Sequence, residues 1–411
     1  MRISRFGYAL SISAAALLAG CGGSQPPVSS WSAGLAPQQS RVHTAYRVLH
    51  SFGGSGDGSS PYADLINVKG TLYGTTAKGG TNDAGTVFAI DKSGKETVLH
   101  SFGGSREGSN PYAALINVGS SLYGTTAYGG TDGYSSGTVF KIKKSGTETI
   151  LHSFGASGDG ANPVAGLLNV NGTLYGTTID GGAYSSGSYA FGTVFAITTS
   201  GAEIVLHSFV SGDGADPYAG FISVNGTLYG TTEYGGAYSS RSGYSSGTVF
   251  KIKKSGAETV IHNFGRSGDG AQPVAGLINV KGTLYGTTPE GGAYCGSSGG
   301  CGTVFEIATS GTESVLYSFK GGSDDGYGPT AGLLNVNGTL YGTTEYGGAT
   351  NNGTVFAITT SGVETVLRSF KGGSGDGSKP YATLINVKGT LYGTTTGGGA
   401  HGDGIVFSLT P

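Results

Sequence analysis

From residue 46 onward the chain alternates apolar and polar positions in short runs, each bounded by Gly, Ser, Asn or Asp. A period of two over a few residues marks half-buried strands. The Val, Ile, Thr, Tyr and Phe that fill these runs suit a pleated surface. One stretch shows the set, with runs at 112–118, 121–126, 137–142 and 148–154. No segment carries apolar residues at helical spacing, so the pattern predicts an all-β chain with almost no helix.

The four-run unit recurs. Leu-Tyr-Gly-Thr-Thr begins at Leu72, Leu122, Leu174, Leu228, Leu284, Leu340 and Leu391, at spacings of 50, 52, 54, 56, 56 and 51. A Gly-Thr-Val-Phe segment follows each of the first six, and Gly404-Ile-Val-Phe follows the last. Periods near 50 mark propellers and arrays, and four antiparallel strands per period make a propeller blade. Residues 46–52 (YRVLHSF) match the fourth run yet come first, while the seventh unit stops after its third run. The pattern therefore predicts a seven-bladed β-propeller whose N-terminal strand completes the last blade. Closing the ring removes exposed strand edges. Small Ala and Gly residues in the first run of each unit place that run at the central channel.

The Leu-Tyr-Gly-Thr-Thr, Gly-Gly and Gly-Thr-Val-Phe order resembles the GloVer-type (Gloeo/Verruco) tandem repeat of bacterial surface proteins across residues 46–411. It is also similar to kelch blades in its Leu-Tyr and Gly-Gly placement, without the kelch Trp. The resemblance implies a propeller and a surface address, and no activity.

Composition narrows the classes. Gly is 81 of 411 residues, but with only 12 Pro the chain is not collagen. A net charge of −2 argues against nucleic acid as the main partner. The leader MRISRFGYALSISAAALLAGC has a basic start, and its apolar run is too short to span a membrane. Its Leu18-Ala19-Gly20-Cys21 end resembles a lipobox, which implies cleavage before Cys21 and lipidation of its thiol. The expected organisation is a signal peptide over 1–20, a lipidated Cys21 with a Ser/Pro/Gly/Gln-rich tether over 21–45, and the propeller over 46–411. The partner expected from this is a membrane, through the lipid on Cys21, with the protein a monomer at the cell surface. That surface is the outer membrane in a Gram-negative cell.

The two faces of such a propeller differ. Loops between the first and second runs, and between the third and fourth, are tight Asn-Gly, Lys-Gly or Ser-Gly turns carrying nine Lys, and read as a solvated face. The opposite face has 16 acidic and 7 basic residues in its loops. Its inter-blade loops each carry an acid, mostly in Ser-Gly-Asp-Gly, which reads as a turn. Its loops between the second and third runs have 8, 10, 13, 14, 13, 8 and 8 residues. The long ones carry Tyr128, Tyr134, Tyr184, Tyr189, Tyr234, Tyr238, Tyr244 and Tyr294, with Asp180, Glu233 and Glu290 nearby. Tyr on Gly/Ser loops is a recognition composition; the same rings also serve to pack neighbouring loops together.

Cys295 and Cys301 in CGSSGGC are expected to pair in an exported chain, worth roughly 2–2.5 kcal/mol for so short a loop. His50, His100, His152, His207 and His262 share one position of the fourth run, with Tyr317 and Arg368 in its place elsewhere. Five copies around a ring cannot converge on one metal, so they read as packing groups. No metal site, cofactor or catalytic motif is read. Three functions remain: a binding or scaffolding module for a glycan, peptide or protein; an exported propeller enzyme acting on polysaccharide, with Glu233 and Glu290 as a carboxylate pair; or a structural surface protein.

Overall fold

The computed structural model describes residues 45–104, 106–131, 136–184, 191–238, 246–295 and 300–411. Among these there is no helix, and seven four-stranded antiparallel sheets form the blades. In the first blade the strands run Ile66–Val68, Thr71–Thr76, Thr86–Ile90 and Glu96–Ser101, from the channel outward. The seventh blade combines Ile385–Val387, Thr390–Thr395 and Ile405–Thr410 with the N-terminal strand Ala45–Ser51. That strand pairs antiparallel with Ile405–Thr410, from Ala45 opposite Thr410 to Ser51 opposite Ile405. The expected closure is therefore present.

The five residues of Leu-Tyr-Gly-Thr-Thr each do a different job. Side chains alternate across a strand, so Leu72 packs with Phe52 and Val406 of the preceding blade. Tyr73 packs toward Leu115, Leu122 and Phe140 of the following one. The central Gly is a packing requirement: a Cβ on Gly176 would lie 2.5 Å from Phe195 Cζ. The first Thr bonds to the next blade, with Thr75 Oγ1 donating to Ala113 O at 3.1 Å. The second Thr clamps the loop that follows, with Thr76 Oγ1 donating to Lys78 O at 2.8 Å. A buried Phe pair crosses each junction edge to face, from Phe52–Phe88 at 5.1 Å to Phe370–Phe407 at 5.1 Å. Such pairs contribute ~0.5–1.5 kcal/mol beyond their buried area.

Two expectations need correction. The innermost strand is shorter than the run at 112–118 suggests, since only Ile116–Val118 joins the ladder. The Ala113 carbonyl instead accepts a Thr hydroxyl from the preceding blade, which leaves this segment free to curve around the channel. Also unforeseen are short two-residue ladders between inter-blade loop and second–third loop, such as Gly58–Ser59 with Lys78–Gly79. Six blades carry one, and the fourth has a single bridge, Ala215 to Tyr234.

Cys295 and Cys301 form the expected disulfide.

Candidate functional site

The innermost segments of all seven blades surround a central cavity of about 330 Å³. Each follows a Pro, and the residue next after that Pro faces the channel: Tyr62, Tyr112, Val164, Tyr218, Val274, Thr330 and Tyr381. Tyr62 touches Tyr112 edge to face at 5.4 Å and Tyr381 at 5.3 Å. The residue before each Pro has positive φ in every blade: Ser60, Asn110, Asn162, Asp216, Gln272, Gly328 and Lys379. Six of these seven are not Gly, and a left-handed backbone at such residues is a cost that the surroundings must hold in place. The hold is visible in the hydrogen bonds: Asn110 N donates to Ala84 O at 2.8 Å, and Asn110 Nδ2 to Ala77 O at 3.0 Å. The channel rim is thus rigid backbone.

Carboxylates collect on this rim. The clamping Thr and the short ladders fix the start of each second–third loop, including Tyr128, Asp180, Tyr234 and Glu290. Burial raises Asp216 to about 7, with the charges of Glu233 and Asp180 adding to it. Burial also raises Glu233, which Glu290 pushes further while a hydrogen bond from Tyr234 opposes. Asp180 and Glu290 are raised by burial alone. Tyr218 is pushed up to about 12 by burial and then by Glu233, Asp216 and Asp180. Blades three to five thus place four carboxyls in one another's field beside a tyrosine ring. Deeper in the channel, Asp64 is raised to about 6 by its burial, against the hydrogen bond that it accepts from Thr383 N at 2.6 Å.

The anticipated binding residues therefore divide. Tyr128, Asp180, Glu233 and Tyr234 stand within electrostatic reach of the channel tyrosines Tyr112 or Tyr218, and Glu290 within reach of Glu233. Tyr184, 60% exposed, lies over the outer strand of its blade beside Val205, His207 and Asp213. Tyr238 accepts a hydrogen bond from Arg266 Nε at 2.7 Å, and Lys320 sits over the Tyr294 ring at 5.6 Å. Tyr134, Tyr189, Tyr244 and Cys21 lie outside the described residues. Sequence reasoning missed Asp216 and the four channel tyrosines. The recurring Pro-Tyr at the start of the first run was the signal that pointed to them.

The outer rim holds a second arrangement. Each outer strand has a one-residue irregularity in its pairing, between Val87 and Phe88 in the first blade, which leaves Leu99 as the extra residue. A bulge re-aims the side chains beside it. The tight turn of the next blade docks on the bulged residue, so closely that a Cβ on Gly146 would meet the Leu99 carbonyl oxygen at 2.3 Å. Two residues on, Glu148 reaches His100 and Glu107 of the preceding junction. A half-buried Glu opens six of the outer strands: burial raises Glu96, Glu148, Glu203, Glu258, Glu313 and Glu364 to about 7 each, and the first five stand beside the recurring His. The inter-blade acid is a turn residue, as expected, and a His partner as well. Asp57 Oδ1 accepts from Gly58 N at 2.6 Å, while Oδ2 stands 2.9 Å from His50 Nε2.

Among solved structures, a puromycin-hydrolysing peptidase of Mycobacterium tuberculosis matches 85% of this chain at 11% identity and a TM-score of 0.51, with 52% of its own length covered. PorZ, a surface component of the type-IX secretion system of Porphyromonas gingivalis, matches 88% at 15% identity and a TM-score of 0.51, with 48% covered. The chain spans about half the length of these two proteins, and the likeness is one of fold. No curated protein matches the sequence. A model of the Gloeobacter/Verrucomicrobia repeat matches residues 34–242 and 236–411, and the seven blades are the structural form of that repeat. The chain belongs to the Gloeobacter/Verrucomicrobia repeat family.

Proposed function

We propose that this protein is an exported, lipid-anchored surface module that binds a glycan, peptide or protein through a positively charged group at the channel rim. The observation that carries the reading is the gathering of Asp180, Asp216, Glu233 and Glu290 beside Tyr62, Tyr112, Tyr218 and Tyr381 on a rigid rim. Burial and mutual repulsion make ionisation of these carboxyls costly, and a bound cation relieves that cost. Aromatic faces beside them add cation–π attraction. The disulfide fits an oxidising compartment.

The test is a screen of glycan and peptide arrays with the full chain, followed by substitution. Glu233→Gln with Asp216→Asn is expected to weaken a captured ligand at least tenfold, and Tyr218→Ala by ~1 kcal/mol or more. Lys143→Ala and Lys253→Ala, on the opposite face, leave affinity unchanged. A neutral ligand indifferent to the carboxyl substitutions sinks the reading. A chain that captures nothing is the structural surface protein.

A second reading, cleavage of a polysaccharide, draws on Glu233 and Glu290, two carboxyls raised by burial on neighbouring blades. A raised carboxyl is what a general acid needs. Its mark is release of reducing ends that Glu233→Gln abolishes.

The anchor rests on Leu18-Ala19-Gly20-Cys21. Each buried CH₂ of an acyl chain adds ~0.8 kcal/mol of membrane binding. Cys21→Ala should move the protein from the membrane fraction to the soluble exported fraction. Identical fractionation of both forms removes the lipid from the account.

A further inference from the structure

We propose that five of the seven blade junctions are binding sites for a first-row divalent transition metal, each ligated by one His and two carboxylates drawn from two neighbouring blades. The sets are His50, Asp57 and Glu96; His100, Glu107 and Glu148; His152, Asp159 and Glu203; His207, Asp213 and Glu258; and His262, Asp269 and Glu313. In each set one ligand atom per residue lies within 4.8 Å of the other two. Ligands around a tetrahedral metal stand about 3.3 Å apart at bond lengths near 2.0–2.2 Å, so small side-chain rotations close each set.

Three observations beyond proximity point the same way. The first is orientation. In the third set, Asp159 Oδ1 accepts from Gly160 N at 2.7 Å, which leaves Oδ2 aimed at His152 Nε2, 3.0 Å away. Hydrogen bonds behind a ligand are what hold metal-binding carboxylates in position. The second is unmet bonding capacity. The Oε1 atom of the Glu in every set is buried and has no hydrogen-bond partner, and His100 Nε2 is in the same state. A buried carboxylate oxygen left unpaired is costly, and a cation satisfies it.

The third is charge. A neutral imidazole with two carboxylates carries −2, which a divalent ion cancels. The two remaining junctions lack the His, and one of them carries a paired cation of its own. At one, Arg368 Nη2 lies 2.5 Å from Asp376 Oδ2, and Tyr46, standing where the Glu would be, donates its hydroxyl to Asp376 Oδ1 at 2.5 Å. At the other, Tyr317 donates to Asp325 Oδ2 at 2.9 Å, and the charge of Lys320 eases the burial of Glu364. The guanidinium of Arg368 thus stands where the other junctions require a cation.

The donor set selects the metal class. Calcium takes six to eight oxygens, whereas one imidazole nitrogen with two carboxylates suits Zn²⁺, Mn²⁺, Fe²⁺ or Co²⁺. Because the donors come from two blades, the ion staples outer strands that otherwise meet only through packing.

The experiment uses the untagged full chain, stripped with chelator and titrated with Zn²⁺ alone at about pH 7.5, where ligand protonation competes little. Calorimetry and metal analysis should approach five Zn²⁺ per chain, with a rise in melting temperature. His152→Gln should lower the stoichiometry by about one, with the fold intact by circular dichroism. Co²⁺ on the unmodified protein supplies a readout free of any folding defect, as visible absorption from imidazole-ligated metal. Failure to bind Zn²⁺ or Co²⁺ overturns the proposal. So does a stoichiometry that His152→Gln leaves unchanged, which would assign the metal to His43 or His401 instead. Preference for Ca²⁺ over Zn²⁺ overturns the metal class.

Discussion

Removing residues 45–52 is expected to abolish cooperative unfolding. Ala45–Ser51 is the outer strand of the seventh blade, and its partner Ile405–Thr410 loses every hydrogen bond on that side. Phe52 is fully buried against Phe88 at the junction with the first blade. Loss of one such Phe costs ~3–5 kcal/mol. Tyr46 and Val48 pack into the junction between the sixth and seventh blades, and Leu49 into that between the seventh and first. Their combined loss approaches the ~5–15 kcal/mol that holds a whole domain folded. The unpaired edge then becomes a template for aggregation. Calorimetry on the shortened chain should show no sharp transition, and Phe52→Ala alone should lower the melting temperature. A 53–411 chain that melts like the full protein contradicts the closure.

Stability is expected to fall as pH rises from about 4 to about 7. The groups responsible are acids whose folded-state values lie above their ordinary ones: Asp64 at about 6 against 3.8, and Asp216 at about 7 against 3.8. A folded state that holds a proton more tightly than the unfolded chain is stabilised by protonation. That stability is complete below about 3.8 and is lost as pH rises through 6 to 7. For Asp64, encircled by the inner segments of the blades, the span corresponds to as much as ~3 kcal/mol, reduced by whatever water enters the channel. The six junction glutamates at about 7 act in the same direction in metal-free protein, and His100, lowered by burial, opposes them. Melting in chelator should therefore be higher near pH 4.5 than near pH 8, and Asp64→Asn should flatten the curve. A melting temperature that climbs with pH across this window shows that these carboxyls ionise freely in the fold.

The sequence by itself determined the blades, their number and the closing strand. Strand alternation has a period of two, and the Gly, Asn and Asp that punctuate it act within a few residues. Seven copies of Leu-Tyr-Gly-Thr-Thr and six of Gly-Thr-Val-Phe made the signal unambiguous, and YRVLHSF at 46–52 matched the fourth run wherever it stood. The disulfide was legible for the same local reason, since Cys295 and Cys301 are six residues apart.

Only the tertiary structure decided what meets what between blades. Glu148 reaches His100 because a bulged outer strand accepts the next blade's turn, and local sequence does not show that docking. Asp180 acts on Asp216 and Glu290 on Glu233 because blades three, four and five stand side by side, and Tyr218 joins Tyr381 at the channel because inner segments curve around a common axis. Conversely, Tyr184 and Tyr238 share loop composition with Tyr128 and Tyr234 but sit outside the rim. Composition names the side chains a loop carries. Their direction is set by the clamping Thr, the short ladder and the neighbouring blade, which are contacts between residues far apart in the chain.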